Sequence, residues 1–320
     1  MKNSQIEWTD HTFNPWIGCQ KVSPGCQYCY AETYGHRFGV EWGPQGERKR
    51  TSATYWRQPL AWNRQHWMQC LDCGIRFQSN TSSISLSMCD GCGSRNIEPA
   101  RARVFCASLA DVFEDRLELI PWRVELFDLI ANTPNLDWLL LTKRPENIRR
   151  FWPWSQGVMR PNIWLGTSVE NQEQANKRIP ELLLAPGSVR FLSCEPLLGP
   201  VDISNIPSGD LNWVICGGES GPHARPMHPD WPRSLRDQCA ETNVPFFFKQ
   251  WGEHLPRGQW NIHGMESLMY AAGCEAFGGT APPRSIQWDE KMWAYKVGKH
   301  DAGRYLDERI HNAHPPLAPR

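Results

Sequence analysis

From residue 103 onward, short apolar runs rich in β-branched and aromatic residues alternate with segments of helical period. That alternation is the signature of β-α units laid side by side in a parallel sheet. Strands are expected over 103–109, 137–143, 162–168, 189–194, 212–216 and 245–249. Helices are expected over 121–131, which opens on a proline at its first turn, and over the amphipathic stretches 171–184 and 230–242. With 13–18 ahead of them, seven strands result. The fold class is therefore α/β, a full or partial β/α (TIM-like) barrel, with a doubly wound open sheet as the alternative that shares the local pattern.

Two stretches break the alternation. Residues 61–102 are polar and cysteine-bearing, and 256–288 are rich in Gly and Pro without a period. The chain divides accordingly into a first β-α unit with a cysteine loop (1–60), an inserted module (61–102), the remaining β-α units (103–255) and a C-terminal extension (256–320). No repeat of fixed period is present.

Polar residues recur where the expected strands end: Asp111, Lys143 and Arg144, Ser168 and Glu170, Glu195, Glu219, and Lys249. In a barrel those ends share one face, and that face carries the chemistry. Gly217 and Gly218 precede Glu219, where small residues let backbone approach a ligand. Lys143 and Arg144 suit a carboxylate or a phosphate.

Lys plus Arg and Asp plus Glu both number 34, so no global field draws the chain onto a polyanion, and any nucleic-acid contact must be local. No stretch reaches the roughly 18 apolar residues of a membrane span, and the N-terminus lacks a signal-like pattern, so a cytoplasmic protein without membrane contact is expected. Of twelve cysteines, seven fall in tight clusters of the kind that bind metal. Cys106, Cys194, Cys216 and Cys239 sit in apolar segments, as small buried hydrophobes do; Cys274 is the fifth outside the clusters.

Cys19, Cys26 and Cys29 are separated by six and then two residues, with Pro24 and Gly25 supplying a turn. Three thiolates can hold three irons of a four-iron cluster and leave the fourth open to an exogenous group. A zinc shell completed by His11 or His36 is the other use of three cysteines. The loop resembles that of the radical S-adenosylmethionine superfamily, with six residues in place of the commoner three between the first two cysteines. Together with FLSCEPLLGPV, WVICGGESGPHARPMHPDW and PFFFKQWGE, it also resembles an uncharacterised three-cysteine-motif family of phage and bacterial genomes.

The resemblance implies a 4Fe-4S cluster on the three cysteines, S-adenosylmethionine as cofactor, cleavage to a 5′-deoxyadenosyl radical, and a reductase or flavodoxin-type electron donor. It implies cofactor contacts from Tyr28, just before the last cysteine, and from Gly217, Gly218 and Glu219. Ser168, Glu170, Glu195 and Lys249 would shape the pocket.

Cys70, Cys73, Cys89 and Cys92 form two C-x₂-C pairs with fifteen residues between, each pair followed by glycine. That is the spacing of a structural zinc ribbon. A basic aromatic stretch lies nearby, in Arg48, Lys49, Arg50, Trp56, Arg57, Trp62, Arg64 and Trp67. It makes nucleic acid the expected substrate class. Two rivals remain at this stage: a non-catalytic zinc adaptor for nucleic acid or protein, and a barrel hydrolase using strand-end carboxylates.

Overall fold

Seven parallel strands lie side by side in the order in which the chain makes them. The computed structural model describes residues 4–79, 88–155, 158–259, 285–289 and 291–316. Along the first part run β1 (His11–Phe13), β2 (Trp16–Ile17), α1 (Tyr30–Arg37), β3 (Lys49–Arg50), α2 (Ala53–Trp56), α3 (Gln58–Trp62), β4 (His66–Cys70), β5 (Arg76–Ser79) and β6 (Ile97–Ala100). There follow β7 (Ala102–Cys106), α4 (Leu119–Ala131), β8 (Leu136–Thr142), α5 (Ile148–Phe151), β9 (Arg160–Ser168), α6 (Gln172–Leu183) and β10 (Gly187–Cys194). The rest comprises β11 (Trp213–Gly217), α7 (Asp230–Glu241), β12 (Phe246–Gln250), β13 (His254–Pro256), β14 (Ser285–Gln287) and β15 (Trp293–Lys296).

The main sheet runs β1-β7-β8-β9-β10-β11-β12. Because the order never reverses, the sheet has no switch point, and the doubly wound alternative is excluded. It curls into a half-barrel whose edges are β1 and β12; a closed barrel is not formed among the described strands. The first strand is corrected from 13–18 to His11–Phe13. Asn14 and Pro15 end it, since proline cannot donate to a ladder, and Trp16–Ile17 pairs antiparallel with β3 instead.

Side-chain alternation sorts the strands into two faces. On the convex face Val104, Leu140, Leu165, Leu192, Val214 and Phe248 pack in the main core with Leu126 and Ile130 of α4, Ile179 of α6 and Leu235 of α7. On the concave face Phe105, Leu139, Trp164, Phe191, Trp213, Ile215 and Phe247 fill the lower half of the bowl, together with Trp8 from the N-terminal segment. Each buried Phe there contributes about 1.5–3 kcal/mol. Open space lies above the filled floor, at the C-terminal ends of the strands.

The C-terminal segment finishes the exposed edge. Phe248 N donates to His311 O at 2.9 Å and Ala313 N to Phe246 O at 3.2 Å, so the segment runs beside β12. His314 then tucks under the bowl, 5.1 Å from the Trp213 ring and 2.7 Å from the Arg103 guanidinium. No helix among the described residues is long and apolar enough to cross a membrane. Cys106, Cys194, Cys216 and Cys239 are all buried. Cys274 lies outside the described residues, as does most of 256–288.

Candidate functional site

Above the aromatic floor opens a cavity of about 750 Å³. Cys19, Cys26 and Cys29 all line it, on the loop that leads from β2 into α1. Ser168, Ser193, Glu195, Lys143 and Lys249 line it from the strand ends, so three of the expected pocket residues, Ser168, Glu195 and Lys249, meet the cysteines in one space. Lys249 Nζ lies 2.8 Å from Glu195 Oε1, and Ser193 donates to the other Glu195 oxygen at 3.3 Å.

The cysteine loop is held from three sides. Arg144, anchored to Asp111 at 2.8 Å, donates to Cys19 Sγ at 3.7 Å and to Gln20 O at 2.9 Å. Glu170, buried and paired with Arg178 at 2.8 Å, accepts from Gly25 N at 3.2 Å. Arg225 pairs with Glu219 at 2.7 Å and donates to Pro24 O at 3.0 Å. Gly218 makes this last clamp possible: a Cβ there would sit 1.9 Å from Trp251 O, so the turns after β11 and β12 could not meet.

Five expected cofactor contacts thus stand outside the cavity wall. Glu170 and Glu219 support the loop from behind, and Gly217 and Gly218 lie in the turn beneath Glu195 and Trp251. Tyr28 faces outward, 38% exposed, with the Arg225 guanidinium 5.2 Å over its ring. Arg144, read as a carboxylate or phosphate site, is committed to Asp111 and the loop.

Electrostatics at this corner pull both ways: burial and Asp111 favour the neutral thiol of Cys19, and Arg144 favours its anion. Removal from water, and then Asp111, push the Cys19 thiol up to about 12 in the metal-free protein, against the pull of Arg144. For Lys143, burial disfavours the charge, but Cys26, Cys29 and Glu170 outweigh it and raise its pKa. Two fixed cations, Lys143 and Arg144, therefore stand ready beside the three sulfurs.

The second cysteine cluster lies elsewhere. Cys70 and Cys92 sulfurs are 3.6 Å apart, Cys73 and Cys89 sulfurs 3.4 Å, and all four lie within 4.8 Å of one another. Among the described residues this is the one group of three or more donors so compact, and it could hold a metal such as zinc. The two knuckles turn at Gly74 and Gly93, both at positive φ, and β4, β5 and β6 form the small sheet around them. Arg76 of β5 reaches under the half-barrel to Asp137 of β8 at 3.1 Å.

A scan of family models matches residues 3–315 to the family described as "Protein of unknown function (DUF5131)". The chain belongs to that family. No curated protein and no solved structure matches it. In this DUF5131 chain the basic aromatic stretch is not the stacking surface expected of it, because Trp56, Trp62 and Trp67 are buried in the outer core. Arg48 is likewise buried, paired with Glu114 at 2.6 Å. His11 points to the same outer side, stacked on Trp62 at 4.4 Å, and so stands away from the three cysteines on the cavity.

Sequence reasoning missed the residues that organise the DUF5131 loop. Arg225 reaches Pro24 from 201 residues away, and Asp111, noted only as a strand-end residue, acts on the loop through Arg144. It also missed the aromatic line Tyr30, Tyr34 and Phe38 at the cavity, although its i, i+4, i+8 spacing was present as a signal.

Proposed function

We propose that this protein is a radical S-adenosylmethionine-type enzyme whose Cys19, Cys26 and Cys29 hold a 4Fe-4S cluster at the mouth of the half-barrel. The observation that carries the reading is that the three cysteines line one cavity at the C-terminal ends of the strands, beside Lys143 and Arg144. The donor set fits: three soft thiolates suit iron–sulfur ligation, and they are not drawn together as the single-ion group Cys70, Cys73, Cys89 and Cys92 is. When bound, such a cluster supplies the electron that cleaves the sulfonium of S-adenosylmethionine and yields a 5′-deoxyadenosyl radical.

The chain's own contributions follow from their places. Lys143 and Arg144 offset the negative charge of the thiolates in a partly desolvated corner. Glu170 and Arg225 fix the loop backbone at Gly25 and Pro24, so the sulfurs keep their direction. The Lys249–Glu195 pair presents one ammonium and one carboxylate to the cavity, complementary to a zwitterionic ligand. Trp8, Phe105 and Trp164 close the floor against water.

The reading is tested by anaerobic reconstitution followed by absorption and electron paramagnetic resonance spectra. Iron–sulfur bands in the parent protein that vanish in Cys26→Ala, with zinc retained, support it. A colourless parent protein that takes up only zinc rejects it.

A further inference from the structure

A line of half-exposed aromatic side chains runs along helix α1, Tyr30 and Tyr34 within it and Phe38 at its C-terminal cap. Tyr30, Tyr34 and Phe38 recur every four residues and so share one face, and they remain 47%, 48% and 50% exposed. All three line the cavity that holds the three cysteines. The neighbouring face of α1 is buried through Ala31 and Gly35, and Gly35 sits so close to the Trp42 ring that a Cβ would be 2.8 Å from it. The helix is therefore pinned with its rings outward. Tyr30 and Tyr34 meet edge to face, centroids 6.5 Å apart, and each ring stays about half exposed. The Tyr30 hydroxyl donates to Ser108 O at 3.0 Å and fixes its ring.

Cations border this line. The Arg37 guanidinium lies 5.0 Å from the Tyr34 centroid, and the Lys49 ammonium is held at Phe38 O at 2.9 Å. Lys299 stands at the cavity as well. Half-exposed rings flanked by cations beside a cavity match the two faces of a nucleotide: a π surface for the base and positive charge for the phosphate.

We propose that the α1 aromatic line is a stacking rail for single-stranded nucleic acid that guides one nucleotide into the cavity. The binding step stands without the chemistry; only what then happens to the nucleotide rests on the radical-enzyme reading. Stacking tolerates any base, so the rail selects strandedness over sequence. A duplex keeps its base faces occupied and gains little. With a balanced net charge and few bordering cations, the attraction is local and its salt dependence shallow.

The test is fluorescence anisotropy on the full-length zinc-loaded protein, with and without iron reconstitution, using short mixed-sequence single strands of RNA and of DNA and the matching duplex. Expected are binding of a single strand, duplex binding weaker by about tenfold or more, and about 5-fold to 100-fold losses in Tyr34→Ala and in Phe38→Ala. Tyr34→Phe restores binding, and Leu117→Ala, a change at an 84% exposed residue outside the cavity, leaves it intact. Absence of binding to both single strands, equal loss in Leu117→Ala, preference for the duplex, or indifference to removal of both rings would overturn the proposal. Strand binding without 5′-deoxyadenosine formation removes the chemistry and keeps the rail; the reverse removes the rail and keeps the chemistry.

Discussion

The Arg144 guanidinium spans the gap between Asp111, 2.8 Å away, and the sulfur of Cys19, 3.7 Å away. It thereby ties the end of β8 to the first cysteine. Arg144→Ala leaves the Asp111 carboxylate buried without its cation, and a loss of about 3–5 kcal/mol is expected in urea unfolding. Arg144→Lys keeps the charge but not the fork that reaches Gln20 O, so an intermediate loss is expected. Equal stability of all three proteins would show that the bridge carries no weight.

His314 makes stability sensitive to mild acid. Burial lowers its pKa well below the usual value, and Arg103, Arg76 and Arg304 press in the same direction. A depressed folded-state pKa means that the unfolded chain binds the proton first, near pH 6.5. Stability is then full above that pH and falls as pH drops toward the folded pKa, by up to about 1.4 kcal/mol per pH unit from this one residue. Denaturant midpoints at neutral and acid pH should show a shallower decline in His314→Gln than in the parent.

Arg225 and Glu219 clamp the cysteine loop from outside the cavity. Arg225→Ala strips the partner from a carboxylate whose side chain is 5% exposed and frees Pro24 O, at a cost of about 1–3 kcal/mol. Faster iron loss from reconstituted protein is expected, with Glu219→Gln showing the same defect and the double variant no additive one. Additive losses would mean that the two act separately.

The ribbon should depend on its metal. Chelation or Cys73→Ala is expected to lower zinc by about one ion per chain and to open new protease sites between residues 66 and 100. Because Arg76 of the ribbon pairs with Asp137 of β8 in near-complete burial, the half-barrel should also melt earlier. An unchanged digestion pattern after zinc removal would refute this coupling.

The strands were legible because each is a short apolar run bounded by breakers, and β8 to β12 lie within about two residues of where periodicity puts them. β1 was displaced because the apolar letters of Phe13, Trp16 and Ile17 look continuous, whereas Asn14 and Pro15 divide them into two elements of different sheets. The curl of the sheet left no local trace, since a doubly wound sheet uses the same units. Cys19, Cys26 and Cys29 could be chosen from spacing alone, but not the supports behind them. Glu170 meets Gly25 across 145 residues, and Arg225 meets Pro24 across 201, and no local pattern encodes such pairs. Strand-end position identified Glu170 and Glu219 as polar residues near the site without revealing that both face its back.

The central claim is most directly tested by incubating anaerobically reconstituted protein with dithionite and S-adenosylmethionine, counting iron and assaying 5′-deoxyadenosine. About four irons per chain and steady formation of the deoxynucleoside, both abolished in Cys29→Ala, are the expected result. A protein that binds zinc at Cys70, Cys73, Cys89 and Cys92, takes up no iron and leaves S-adenosylmethionine intact would contradict it.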